Sequence, residues 1–429
     1  MMSRLVPLLV SALPVILLAA VAAGVVYRAG PQLLPPERLV IAAGREGGGY
    51  HATAELYGYR LARDGIELEI LETAGSVENA ARLAAGEADA ALLQGGIEVD
   101  PESDLQTLAA VFHEPLFIFV READGVPANP GAWSGLALAA GPEGSGARAA
   151  AEALVEAAEL PPRAVALRPL AGEDAVAALV DGEVDAALFV TKLSTPILEP
   201  LFRNPALQLL TLDPLEVVSR RMPGAAPITL PKGAISIAPP LPAADVGMVS
   251  MVARLVARAD LHPALEDRLV SAAMHLHARR DALTERGRFP AAEPDDGPPM
   301  SRYAAGLIQD GPSQVREWLP WWAAAQIDRV LLLLLPIVIL SIPLLRAAPG
   351  LYAWRMRRRV WRRYEDIRRL DAEAQDAPDR AALQALAGRV ERLDEELARL
   401  DLPLAYRENA YTARLHLDLL RHRLAERLR

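Results

Sequence analysis

The sequence predicts an α/β region of two similar lobes, flanked by apolar transmembrane helices and followed by an α-helical tail. Three observations predict it. Short β-rich runs alternate with alanine-rich helical patterns over residues 38–290. A Gly-rich motif recurs within that region at an offset of 97 residues. Two uncharged stretches, Leu5–Tyr27 and Val330–Leu345, bracket it, and a dense arginine run follows the second.

The first apolar stretch lies between Arg4 and Arg28 and is long enough to span a bilayer. Its basic start and the small residues around Ala19–Gly24 also fit a secretory signal, so residues 1–29 read as a signal anchor or a signal peptide. Either would export the region C-terminal to it.

The second stretch would rise about 24 Å as a helix, short of a hydrocarbon core of about 30 Å. Trp321 and Trp322 supply an interfacial aromatic pair upstream, and Arg346, Arg355, Arg357, Arg358 and Arg359 begin the basic flank that marks the cytoplasmic side. Residues 319–346 are therefore expected to be a transmembrane helix. Residues 30–318 are then expected outside the cytoplasm and the tail, 347–429, within it.

Charge follows the same division. The 429 residues carry a formal net charge of −10. Residues 346–429 hold 19 Arg and 14 acidic residues, so the tail is +5 and the remainder −15. An acidic exported part excludes general nucleic-acid binding, and the basic tail fits contact with anionic membrane lipid. With no cysteine in the chain, disulfides, thiolate metal sites and cysteine nucleophiles are excluded.

Six strands are expected at Arg38–Ala43, Ile66–Leu71, Asp89–Leu93, Leu136–Ala140, Ala164–Arg168 and Asp185–Val190. The repeat places them in two equivalent sets. Residues 42–49, AAGREGGG, recur as AAGPEGSG at 139–146, and residues 86–93, GEADAALL, recur as GEVDAALF at 182–189. Each lobe then runs strand, Gly-rich turn, helix, strand, helix, Gly-Glu-x-Asp turn, strand. A Gly-rich turn entering a helix lets the backbone approach a ligand and aims free N–H groups at it, favouring an anion. One such turn in each lobe points to a site in the cleft between them. Neither turn has the Lys of a phosphate-binding P-loop or the spacing of a dinucleotide fingerprint.

The turn at Gly47–Tyr50, the segment Thr73–Asn79, the run Gly86–Gln94, the run Glu114–Val120 and the turn Gly141–Gly146 together resemble the TAXI-type solute receptors of tripartite ATP-independent periplasmic (TRAP) transporters. The resemblance spans roughly residues 38–290. It implies a type II periplasmic-binding-protein-like domain that closes on a small organic acid or amino acid, without catalysis or cofactor, and delivers it to TRAP membrane subunits. Carried onto this chain, it assigns Gly48, Gly49 and Tyr50 to one wall of the site, Ser76 and Asn79 to a helix start, and Gln94 to a strand end. Gly144, Ser145 and Gly146 face them from the second lobe, with Thr191 near its strand end; Arg148 and Lys192 are placed to assist. The first loop departs from the family in Arg45 and Glu46, and the chain runs on past residue 290, where a free receptor would end.

His51 is a candidate ligand contact or a packing residue. His275 and His277 lack zinc spacing, and no metal site is expected. Residues 290–300 read as a linker or irregular lobe edge. In the tail, Leu383, Leu386, Val390, Leu393, Leu397 and Leu400 follow a heptad seam, and Arg407–Leu428 continues as a second amphipathic helix. That pair fits either a hairpin closing on itself or a coiled coil that dimerises or docks a partner. A tethered receptor for TRAP uptake, a transmembrane ligand sensor and an enzyme on a two-lobed scaffold are the functions the sequence leaves open.

Overall fold

The computed structural model describes residues 24, 34–292, 297–312, 318–319, 321–400, 402 and 406–428. Leu33–Ile327 form one compact unit and Asp328–Arg429 belong to another.

In the first unit the strands are β1 (Arg38–Ala42), β2 (Glu67–Leu71), β3 (Ala90–Leu93), β4 (Leu105–Arg121), β5 (Ala137–Ala139), β6 (Ala166–Arg168), β7 (Ala186–Val190), β8 (Leu207–Leu209), β9 (Ala226–Leu230), the small hairpin β10 (Ser236–Ile237) and β11 (Pro240–Leu241), and β12 (Val246–Arg258). The helices are α1 (Gly49–Leu61), α2 (Ser76–Ala84), α3 (Gly146–Ala157), α4 (Gly172–Asp181), α5 (Leu198–Arg203), α6 (Leu215–Arg221), α7 (Pro263–Leu276), α8 (Arg302–Asp310) and the single turn α9 (Trp321–Ala324).

The sheet order β2-β1-β3-β12-β4-β7-β5-β6 is nearly palindromic. Parallel triplets β2-β1-β3 and β6-β5-β7 form the two lobes, and the long antiparallel strands β4 and β12 run between them. All six strands expected from the pattern are present within two residues of their predicted ends.

β4 and β12 were not among the expected strands. Their residues are buried on both faces, so the alternation that identifies a half-exposed strand is missing, and Pro115 interrupts β4. The ladder between them runs from Arg258 opposite Leu105 to Ser250 opposite Pro115. Beyond that point β4 pairs with β7 and β8, while β12 pairs with β9. Pro115 and Ser250 thus mark the crossing from one lobe to the other.

Apolar cores cover both faces of each triplet. In the first lobe one core gathers Leu39, Ile41, Tyr57 and Leu108 under α1 and α7, and another gathers Leu83, Ala91 and Val256 under α2. In the second lobe Trp133, Leu154 and Leu188 pack on one face and Phe117, Phe119 and Leu179 on the other.

The repeat has a structural cause at its acidic end. Asp89 accepts from the Val40 amide at 2.9 Å, and Asp185 accepts from the Ala137 amide at 2.7 Å. Each carboxylate ties the third strand of its triplet to the first. Gly86 and Gly182, which open these turns, both have positive φ.

Residues 290–300 are not a free linker. Ala291 and Met300 bridge to β4 at Ala110 and Thr107, and α8 then packs Ala304 and Leu307 into the first lobe's core; residues 293–296 lie outside the described set.

In the second unit α10 (Ile327–Gln375) continues without interruption through the apolar stretch and the arginine run, so the expected boundary at 346 is not a break in secondary structure. Among the described residues no helix is long and apolar enough to cross a membrane. Leu5–Tyr27, apart from Gly24, lies outside those residues, as do many side chains of Val330–Leu345. α11 (Arg380–Ala398) and α12 (Arg407–Leu428) complete this unit.

The heptad seam turns inward. Leu383, Leu386, Val390, Leu393 and Leu397 pack with Met356, Val360, Ile367 and Leu370 of α10 and with Ala413, Leu417, Leu420 and Leu424 of α12. Arg414 pairs with Asp394 at 2.7 Å across the α11–α12 contact. Of the two uses the sequence left open for this seam, the packing fits the hairpin closing on itself: its apolar face lies within a three-helix assembly of the chain.

Candidate functional site

Both Gly-rich turns are built alike. Gly44 and Gly141 have φ of 76° and 81°, and Gly47 and Gly144 have φ of 76° and 82°, a region that disfavours residues bearing a Cβ. The Gly48 amide donates to the Arg45 carbonyl as the Ser145 amide donates to that of Pro142. Each turn therefore ends with a helix N-terminus facing the space between lobes. α2 brings a third, because Gly75 with φ of 142° starts it from the same side.

Between these helix ends lies a cavity of about 180 Å³. The first lobe lines it with Arg45, Gly48, Gly49, Tyr50, Ser76 and Gln94. Ser145, Gly146, Thr191 and Lys192 line it from the second lobe, and Phe112 and Glu114 from the crossing strand β4.

Eight of the ten residues expected to form the site are brought together here. Asn79 is not: fully buried, it donates to the Leu92 carbonyl at 2.8 Å and accepts from Thr73, tying α2 to β3. Gly144 also stays outside the lining, its carbonyl accepting from the Glu78 amide at 3.1 Å.

Ser145 is near the cavity, but its hydroxyl is spent locally. It donates to the Pro142 carbonyl and accepts from the Arg148 amide, capping α3. Gly48 and Gly75 provide no side-chain cap to α1 and α2. The α1 end is therefore presented to the cavity without a cap, whereas the first turn of α2 also gives its Glu78 amide to Gly144 and carries the Glu78 carboxylate. Arg148 pairs with Glu152 and does not line the cavity, and His51 stands 3.8 Å from Glu55, also off the lining.

The lobes touch across the cavity. Gln94 Nε2 donates to the Gly146 carbonyl at 3.2 Å, and Lys192 Nζ donates to Thr53 Oγ1 at 3.0 Å. A Cβ on Gly75 would stand 3.0 Å from Ser145 Cα, so glycine is what lets the two backbones meet.

The residue that sequence reasoning did not single out is Glu114. It is 3% exposed and accepts from the Tyr50 hydroxyl at 2.6 Å. Burial raises its carboxyl to about 8, with the Tyr50 hydrogen bond and Lys192 pulling the other way. Burial also lowers Lys192, partly offset by Glu114, and raises Tyr50. The Ser76 hydroxyl accepts from the Gln94 amide at 3.0 Å and stands 3.5 Å from Tyr50 Oη. A carboxylate isolated in an otherwise apolar stretch was the available signal.

The balance is electropositive: the uncapped N-terminus of α1, the start of α2, Lys192 and Arg45 face one carboxyl group that burial holds toward its neutral form. Such a site holds a compact anion and offers hydrogen bonds to its polar groups. Among the described residues no group of His, Asp and Glu is arranged to hold a metal. His277 lies under the Tyr57 hydroxyl at 3.1 Å, and burial lowers it to about 3.

A model of the NMT1-like family matches residues 41–274, over half of the chain. No curated protein sequence matches it significantly. Among solved structures, a protein from Bordetella bronchiseptica RB50 is similar at 18% identity, covering 55% of this chain and 71% of that one with a TM-score of 0.38. The periplasmic aliphatic sulphonate binding protein SsuA from Escherichia coli matches at 16% identity, 56% and 69% coverage and a TM-score of 0.33. The amino acid ABC transporter substrate-binding protein AbpA from Streptococcus pneumoniae, bound to L-arginine, matches at 15% identity, 56% and 89% coverage and a TM-score of 0.35.

Proposed function

The chain belongs to the NMT1-like family, and from that premise we propose that it is a membrane-tethered extracytoplasmic receptor for a small organic acid or amino acid. The observation that carries this reading is the cavity between the lobes, onto which the uncapped N-terminus of α1 and the start of α2 converge with Lys192 and Arg45. Gly48, Gly49 and the two helix ends hold the solute's carboxylate, and Tyr50, Ser76, Gln94 and Glu114 read its remaining polar groups. The protein binds and releases, with no chemistry of its own.

The ordered motifs resembling TAXI-type receptors support TRAP-type uptake as the destination of the solute. Tethering rests on the two uncharged stretches and the arginine run after Leu345. Leu335, Ile339 and Ile342, at successive turns of α10, are exposed apolar residues consistent with contact to lipid. In this reading the lobes face the periplasm of a bacterial inner membrane and the tail faces the cytoplasm.

A second reading is a sensor that passes lobe closure to the tail. It is favoured by α10, which continues from the apolar stretch into the three-helix assembly.

The test is a thermal-shift titration of the full-length chain with organic acids and amino acids. A solute that binds the folded form stabilises it by about 2.7 kcal/mol at a hundred times its Kd. No shift with any acid at millimolar concentration overturns both readings. Solute uptake that survives deletion of residues 376–429 favours transport; loss of a transcriptional response on the same deletion, with binding intact, favours sensing.

A further inference from the structure

Next to the polar cavity lies a second, larger hollow of about 970 Å³. Arg45, Gly48, Gly49, Ala171, Val190 and Thr191 line both, so the two are continuous. Phe112 and Glu114 of the crossing strand touch only the smaller one. The larger hollow is therefore the part of the cleft away from β4.

Its walls have a different chemistry. α4 lends Val176, Ala177 and Val180, and β7 lends Leu188 and Phe189. α4 has already used Ala175, Ala178 and Leu179 to cover the core of the second lobe. A surface helix with one buried face normally turns polar residues outward. This one leaves Val180 49% exposed and Ala177 exposed along the hollow. Glu46, Glu173 and Asp181, all exposed, line it as well.

We infer that the solute is a monocarboxylate with a straight apolar chain, its head at the helix ends of the polar cavity and its chain along the groove of α4 and β7. This rests on the receptor reading and narrows it. The head matches the electropositive cavity. The chain covers Ala177 and Val180, which nothing else among the described residues covers. The acids along the hollow, with Asp181 at the end of α4, repel a second carboxylate on the chain, which separates a monocarboxylate from a dicarboxylate or an acidic amino acid.

The experiment is calorimetric titration of the full-length chain with straight-chain monocarboxylates from acetate to octanoate, alongside succinate and glutamate. Affinity is expected to rise about threefold to fourfold for each methylene added beyond butyrate. Val180→Glu and Ala177→Trp, at exposed positions outside the polar cavity, are each expected to flatten that series while leaving acetate and butyrate unchanged. Glutamate or succinate binding more tightly than octanoate, with no dependence on chain length, overturns this inference and leaves the receptor reading standing. A gradient that persists in both variants overturns the groove as the seat of the chain. If no carboxylate of any kind binds, the inference falls together with the receptor reading.

Discussion

The two Gly-rich turns share a backbone and differ at two side chains, Arg45 against Pro142 and Gly48 against Ser145. Gly44 and Gly141, and Gly47 and Gly144, adopt the same left-handed conformation, and the following amide closes the same four-residue turn in each lobe. At the next position the first lobe has Gly48 and the second has Ser145. Ser145 caps its own helix, whereas Gly48 leaves the α1 N-terminus without a side-chain acceptor. Duplication thus preserved the scaffold while the two lobes took different parts: the first offers an open helix end to an anion, and the second supplies a satisfied wall to close against.

The strongest way to break this comparison is at the contact between the lobes. Gly75→Ala puts a Cβ 3.0 Å from the Ser145 backbone and places alanine at a φ of 142°. Affinity for the tightest-binding carboxylate is expected to fall about tenfold to a hundredfold, and small-angle scattering should show lobes that stay apart when it is added. Unchanged affinity would mean that closure does not need this approach.

A smaller effect is expected at Glu114, which belongs to neither turn. Because burial holds its carboxyl at about 8, an anion should bind equally well from pH 6 to 7.5 and then lose up to about tenfold per unit above pH 8 as the carboxylate forms. Glu114→Gln should remove that decline; a pH profile identical to the unmutated protein's would take Glu114 out of the site. The same shift makes a statement about folding. The carboxyl is raised from its ordinary 4.5, so its stabilising contribution is complete below about pH 4.5 and is lost as pH rises through 8. Lys192, lowered by burial, works in the opposite sense at higher pH.

The smallest effect tests the duplication itself. Asp89→Ala and Asp185→Ala each remove one partly buried bond from a carboxylate to the first strand of a triplet. Each is expected to cost about 1 kcal/mol in denaturant unfolding, with solute affinity little changed. Unequal losses would show that the repeated turns no longer do the same structural work.

Much of this was visible in the sequence because it repeats. The offset of 97 located both turns, and the six short strands of the triplets follow from their flanking Gly and Asp residues. What the sequence concealed has a common physical origin in burial. β4 and β12 are covered on both faces and show no period of two, and Glu114 carries its meaning only through Tyr50, which is 64 residues away in the chain. Asn79 and Ser145, both expected at the site, spend their polar groups on backbone for a related reason. Polar residues at helix starts serve the backbone as readily as a ligand, and distances alone separate the two uses. The heptad of α11 was legible as a seam, but α10 and α12 supplied its partner from within the chain.

Glu114 is followed immediately by Pro115, where the β4–β12 ladder ends and the two strands go on to pair with different neighbours. Proline has no amide to give to a ladder, so this is a place where the ribbon is already released from one of its bonds. A solute that engages Glu114 therefore acts where the strands cross between the lobes and not at the rim of the cleft. Substitutions at Glu114 are therefore expected to change the rate of solute release together with affinity, which stopped-flow release of a bound carboxylate would measure.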